Sequence, residues 1–191
     1  EGVYEIAVGP VHAGIIEPGH FRFQAVGEDI LHLEERLGYV HKGIEKRFES
    51  LSWLDGAKLA GRVSGDTTVA HALAYCRALE AMTGCVPSER ALWIRALMLE
   101  RERIANHLGD IGAICNDVAF AFLLYQFSIL RETMLRTNDK LFGHRFIMDR
   151  VIPGGVSVDI TPEGKEEIRR ETDWIKKEFE RLVIIYDENP S

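Results

Sequence analysis

Near residue 42 the spacing of apolar residues changes from every second position to a period of about 3.6, and this switch constrains the fold more than any other feature. Before it, residues 3–9 (VYEIAVG), 20–26 (HFRFQAV) and 30–36 (ILHLEER) carry aromatic and β-branched side chains in alternating or apolar runs, which predicts a small antiparallel sheet of three strands. After it, helical periodicity predicts helices over residues 42–51, 53–61, 67–82, 88–112, 118–141 and 165–185. The fold class is therefore α+β: a small N-terminal sheet, residues 1–37, followed by a predominantly helical bundle, residues 38–191, within one domain. The segment VAFAFLLYQFSIL is apolar nearly all round, which predicts burial at the centre of the bundle. The chain stops at DENPS with no cap partner beyond its last helix, and it reads as a fragment.

At 191 residues with 46% hydrophobic side chains, the chain is long enough to bury one good core. A net charge of −7 without clustered Lys and Arg excludes a nucleic-acid surface, because phosphate binding needs basic clusters. Cys76, Cys85 and Cys115 lack close paired spacing, which fits reduced, mostly buried thiols of a cytoplasmic protein. No apolar run is long enough to cross a bilayer, so membrane association must come through a partner.

Four stretches carry candidate chemistry. In GRVSGDTTVAH, Ser64 and Thr67 have the spacing of a C-x-x-C clamp without its sulfurs, and Asp66 or Thr67 is placed to cap the following helix. Hydroxyl oxygens are poor ligands for the soft metals that thiolates select, and Asp66 with His71 is too small a set. The loop PVHAGIIEPG, held between two strands, carries His12 and Glu17, a titratable pair suited to proton relay or else two solvated loop residues. In ERERIANHL, Glu100, Arg103 and His107 share one helical face with Leu92, Ala96 and Leu99, with Asn106 beside them. Such groups form either an ion-paired structural network or the lining of a functional interior. In RVIPGGVSVD, Pro153-Gly154-Gly155 makes a tight turn and lacks the glycine pattern of a phosphate cradle.

Taken in order, GPVHAGIIEPGHFRF (9–23), GYVHKGIEK (38–46), VAHALAYCRALE (69–80), RALMLERERIANHLGDIG (95–112) and IPGGVSVD (152–159) resemble one family. It is the large subunit of group 4, formate-hydrogenlyase type [NiFe]-hydrogenases, together with the homologous 49 kDa subunit of complex I, and the resemblance is to its N-terminal part. In active hydrogenases the segment matching RVSGDTTVAH reads R-x-C-G-x-C-x-x-x-H. Arg62, Gly65 and His71 match, whereas Ser64 and Thr67 stand in the cysteine positions.

The resemblance implies an oxidoreductase subunit without its own nickel–iron centre, binding no cofactor itself and inactive as an isolated fragment. Quinone is the acceptor in the complex I relatives, which use the vacated cavity for it. It implies partners: an iron–sulfur small subunit bearing a 4Fe-4S cluster, and membrane-embedded subunits. The complex would sit on the cytoplasmic side of the inner membrane, with this chain peripheral. Glu17 matches the loop glutamate that passes protons in the hydrogenases, and with His12, Asp66 and His71 it would line the old nickel cavity. His107 matches a histidine near the partner's cluster and Lys42 stands where complex I has an arginine, so Lys42, Arg62 and His107 would face that cluster. The quinone-contacting tyrosine and histidine of complex I fall near Gly65 and Glu17, and neither is kept. A non-catalytic scaffold subunit and an active [NiFe]-hydrogenase are the alternatives.

Overall fold

The computed structural model describes residues 2–12 and 17–189. The chain separates into two compact units, Glu1–Glu49 and Ser50–Ser191.

The first unit is built on β1 (Tyr4–Val8), β2 (His20–Val26) and β3 (Asp29–Arg36), antiparallel in that order, as the alternation predicts. Register puts Ile6 beside Phe23 and Phe23 beside Leu33, so the apolar side chains share one face. The opposite face is charged, with Arg22 reaching Glu5 at 3.2 Å. β2 and β3 are joined through Gly27-Glu28, and Gly27 adopts φ 61, where a Cβ would strain the turn. The helix expected over residues 42–51 shrinks to α1 (Ile44–Phe48).

The second unit contains α2 (Trp53–Ala60), α3 (Thr68–Thr83), α4 (Glu89–Asp117), α5 (Ala121–Phe142), a short hairpin of β4 (Val151–Ile152) and β5 (Gly155–Val156), and α6 (Pro162–Asp187). Ser88 caps α4 by accepting from Ala91 N at 3.3 Å. Thr161 caps α6 by accepting from Gly164 N at 3.1 Å, with Pro162 in the first turn. The last helix therefore begins at its TP pair, three residues before the apolar period becomes visible.

α4 runs through two apolar clusters. One gathers Val69, Cys76, Ile94, Met98, Phe142 and Ile168; the other gathers Leu108, Leu123, Phe127, Met134, Ile175 and Leu182. Its buried stripe passes through Ala91, Ile94, Met98, Ala105 and Leu108, but also through Arg95, Arg101 and Glu102. The predicted stripe of Leu92, Ala96, Leu99, Arg103 and His107 is thus rotated away: Leu92, Ala96, Arg103 and His107 are exposed. The cause is that the core-side charges find buried partners, which hydropathy alone counts against that face. Arg95 meets Glu80 at 2.6 Å, and Arg101 meets Glu171 at 2.7 Å.

Arg95 and Glu80 also hold the hairpin. Arg95 donates to the carbonyls of Gly155 (3.0 Å) and Ile152 (2.8 Å), and Glu80 accepts from Gly154 N at 2.8 Å. α5 departs from its predicted central burial. Leu123, Phe127 and Leu130 are buried against α4 and α6, while Phe122, Tyr125 and Ile129 are about half exposed. All three cysteines are free; Cys76 and Cys115 are buried as expected, and Cys85 is exposed.

Candidate functional site

The segment from Arg62 to His71 joins α2 to α3, and α4 holds it from behind. Thr67 stands in the N-cap position of α3 but its side chain makes no capping bond. Its hydroxyl lies 2.9 Å from His71 Nδ1 instead, and its carbonyl lies 2.8 Å from the same nitrogen. Either tautomer therefore has a partner: a protonated Nδ1 donates to the carbonyl, and an unprotonated one accepts from the hydroxyl.

The capping expected of Asp66 or Thr67 comes from Glu102 on α4. Its carboxylate accepts from Val69 N at 2.6 Å and from Ala70 N at 2.9 Å, satisfying two amides that the helix itself leaves open. Burial pushes the Glu102 carboxyl above its ordinary range, and the two amides with nearby His71 pull it part of the way back. One turn further along α4, Asn106 donates to the Asp66 carbonyl at 2.6 Å.

Asp66, Glu102, Asn106, Arg131 and Asn138 enclose a cavity of about 10 Å³, the lower limit for a single water. Arg131 Nε is buried there without a hydrogen-bond partner among the described residues. The outer side of the turn is open, since a Cβ on Gly65 would meet nothing within 4 Å.

Arg62 extends to the far side of the turn. It donates to both carboxylate oxygens of Asp149 and to the Lys58 carbonyl, each at 2.7 Å. The Arg62 guanidinium holds the Asp149 carboxyl below its ordinary range. Asp149 belongs to a tightly wound loop in which it and buried Ile147 take positive φ values of 62 and 57.

Arg62, Ser64, Asp66 and Thr67 lie on the α2–α3 connection and His71 in the first turn of α3; Thr67 contacts His71, whereas Arg62 is turned to Asp149. His107 is exposed on α4, beside a groove lined by Ile104, Ile175 and Phe179. Glu100 and Arg103 form an exposed ion pair on that helix. His12, Glu17 and Lys42 belong to the first unit. There, Gly19 N donates to the Pro10 carbonyl at 2.9 Å and closes the base of the loop. Gly9 permits this approach, because a Cβ on it would lie 2.0 Å from the Gly19 carbonyl oxygen. His12 is half-buried, 5.9 Å from the Phe21 ring; Glu17 and Lys42 are exposed. Residues 13–16 of the loop lie outside the described residues.

Sequence reasoning missed Glu102, Arg131 and Asp149. Glu102 carries a signal, because it stands four residues before Asn106 and shares its face of α4. Counting from Glu100 selected the solvent side of the helix.

The donor set does not fit a nickel–iron centre. Ser64 and Thr67 offer hydroxyl oxygens where soft metals need thiolates, and the Thr67 hydroxyl is engaged with His71. Among the described residues no group of three or more His, Cys, Asp or Glu side chains is placed to hold a metal. The cavity behind the turn is likewise too small for a quinone ring.

Residues 116–191 match the family of the respiratory-chain NADH dehydrogenase 49 kDa subunit. Formate hydrogenlyase subunit 5 of Escherichia coli is 33% identical over 187 residues, covering 97% of this chain and 33% of the relative. The chain's homologues are group 4 membrane-bound hydrogenase subunits and complex I 49 kDa subunits. Another relative, the carbon monoxide-induced hydrogenase of Rhodospirillum rubrum, is 30% identical over 189 residues, 98% of this chain and 52% of that protein. A solved structure of the membrane-bound sulfane sulfur reductase, an archaeal respiratory membrane complex, superimposes with a TM-score of 0.89 at 25% identity. The match covers 99% of this chain and 51% of that one. The chain spans about half or less of the length of these relatives. The structural likeness agrees with the α+β architecture, and no helix among the described residues is long and apolar enough to cross a membrane.

Proposed function

We propose that this chain is a hydrogenase-large-subunit-like component of a membrane-bound redox complex, of the complex I or formate-hydrogenlyase type, without a nickel–iron centre of its own. It takes part in electron and proton transfer beside an iron–sulfur small subunit that carries a 4Fe-4S cluster, and it is peripheral to the membrane on the cytoplasmic side. The observation that carries this is the pair of oxygen side chains at Ser64 and Thr67 on an otherwise matching segment, with Thr67 bonded to His71.

In this proposal Glu17, His12, Asp66 and His71 hold and pass protons, carboxyl and imidazole groups being the side chains that do so in general acid–base chemistry. Lys42, Arg62 and His107 supply cationic or titratable groups toward the partner's cluster. The electron acceptor, quinone or another carrier, meets the outer side of the turn, where Gly65 faces open space.

The test is to co-purify the complex with Glu17→Gln in place. Loss of turnover with intact assembly supports the proposal; unchanged turnover supports a scaffold that only organises its partners. The scaffold alternative draws on Arg62, whose guanidinium is already committed to Asp149 and Lys58. Metal analysis of the same preparation separates a third possibility, since stoichiometric nickel would mean an active hydrogenase.

A further inference from the structure

Two backbone amides at the start of α3 are held by one residue of α4. Glu102 is 8% exposed, and its two oxygens bind the Val69 and Ala70 amides, two and three residues after Thr67 and within the same turn as His71. Thr67 makes no capping bond and turns its hydroxyl to His71, so the first turn of α3 is capped from outside the helix. Asn106, four residues further on, holds the Asp66 carbonyl from the same face.

We propose that Glu102 is the positioning residue of the site: its ionised carboxylate clamps the first turn of α3 and thereby sets the placement of Thr67 and His71. This rests on the functional reading above for its consequence in turnover, and on geometry alone for the clamp.

The clamp depends on charge for a simple reason. A carboxylate offers lone pairs on both oxygens to the two amides, whereas a protonated acid turns one oxygen into a donor and releases one of them. The groups facing Glu102 decide how readily that happens. His71 on α3 favours the ionised form, Asp66 in the turn opposes it, and burial opposes it most. From α5, Arg131 and Asn138 line the same cavity, and the 143–150 loop contributes only apolar Phe146 and Ile147. The clamp is therefore a point at which one proton loosens the segment carrying His71.

The experiment compares the assembled complex with Glu102→Gln and Glu102→Asp forms, by amide hydrogen exchange and by turnover against pH. In the parent complex, protection of Val69 and Ala70, corrected for intrinsic exchange, falls as pH is lowered. In Glu102→Gln that protection is low at every pH, because an amide side chain accepts at one oxygen only. Turnover then falls about tenfold to a hundredfold, the loss expected when a reacting group is misplaced by about 1 Å, and its acid limb flattens. Glu102→Asp, which keeps the charge, recovers the pH dependence in part. Unchanged exchange at Val69 and Ala70 in Glu102→Gln, or a pH dependence identical to the parent, overturns the proposal. A parent complex with no redox turnover sinks the functional reading instead, while the exchange measurement still decides the clamp.

Discussion

Arg62 and Asp149, 87 residues apart in sequence, face each other through two parallel hydrogen bonds of 2.7 Å. The pair fastens the α2–α3 connection to a loop whose backbone is wound into the left-handed region at Ile147 and Asp149. Aspartate tolerates that region better than most side chains, so Asp149 supplies both the conformation and the charge.

Arg62→Lys keeps the charge but loses the fork, and Asp149→Asn keeps the backbone preference but loses the charge. Each is expected to cost about 1 kcal/mol, because a half-exposed pair is worth little more. A double-mutant cycle in urea should give a coupling that shrinks as salt is added. A full-sized coupling in high salt would mean that packing, not charge, joins the two segments.

Arg101 and Glu171 present the opposite case, with side chains only 3% and 5% exposed. Arg101 also donates to Asn138 Oδ1 at 2.5 Å and to the Met134 carbonyl at 3.2 Å, so α4, α5 and α6 meet at one guanidinium. Removing either partner alone, as Arg101→Met or Glu171→Leu, leaves a buried charge unpaired and should cost about 3–5 kcal/mol. The double variant should be more stable than either single one. Chemical denaturation measures all three, and simple additivity of the two losses would contradict a coupled buried pair.

These two pairs show what the sequence could and could not reveal. Alternation at Ile6, Phe23 and Leu33 is a local pattern, and it survives into the sheet unchanged. The Ser88 and Thr161 caps are likewise local, although the second is hidden when only apolar spacing is followed. The placement of Arg95, Arg101 and Glu102 on the core side of α4 is not local. It depends on Glu80 and Glu171, and on the α3 amides, which lie 15 to 70 residues away. An α-helix with three charges on its buried face reads from hydropathy as though that face were solvent. The exposed face of α5 at Phe122, Tyr125 and Ile129 is the converse, since an apolar pattern says that a face is to be covered and not by what.

Acid should unfold the chain through its paired carboxylates. Arg145 and Arg136 hold the Glu132 carboxyl down at about 2, and Glu80 and Asp149 are lowered in the same direction by Arg95 and Arg62. A carboxyl with a folded pKa below its unfolded one stabilises the fold above the unfolded value and loses that contribution as pH falls through the folded one. For Glu132 the window runs from about 4.3 down to about 2. For global unfolding Glu102 has the opposite sign, because burial raises its pKa; the Val69 and Ala70 amides pull it the other way, and it is their loss on protonation that loosens the first turn of α3 locally. Glu132→Gln should therefore flatten the loss of stability in that acid window, as followed by thermal melts at fixed ionic strength. An unchanged acid slope would show that the Arg145 pair does not persist in solution.

The three helix starts at Ser88, Thr161 and Thr67 look alike in sequence and differ in the structure. Ser88 and Thr161 each accept a backbone amide three residues on, so Ser88→Ala and Thr161→Ala should each cost about 1 kcal/mol. Thr67 accepts none, because Glu102 already serves the amides that follow it. Thr67→Ala should therefore cost less than either, losing only its contact with His71. Glu102→Ala should cost more than all three, since it opens two amides and a space in a buried site. Ranking the four variants by urea midpoint checks the order. A Thr67→Ala loss equal to that of Ser88→Ala would place the cap on Thr67 after all, and would remove the reason for a carboxylate in the core at residue 102.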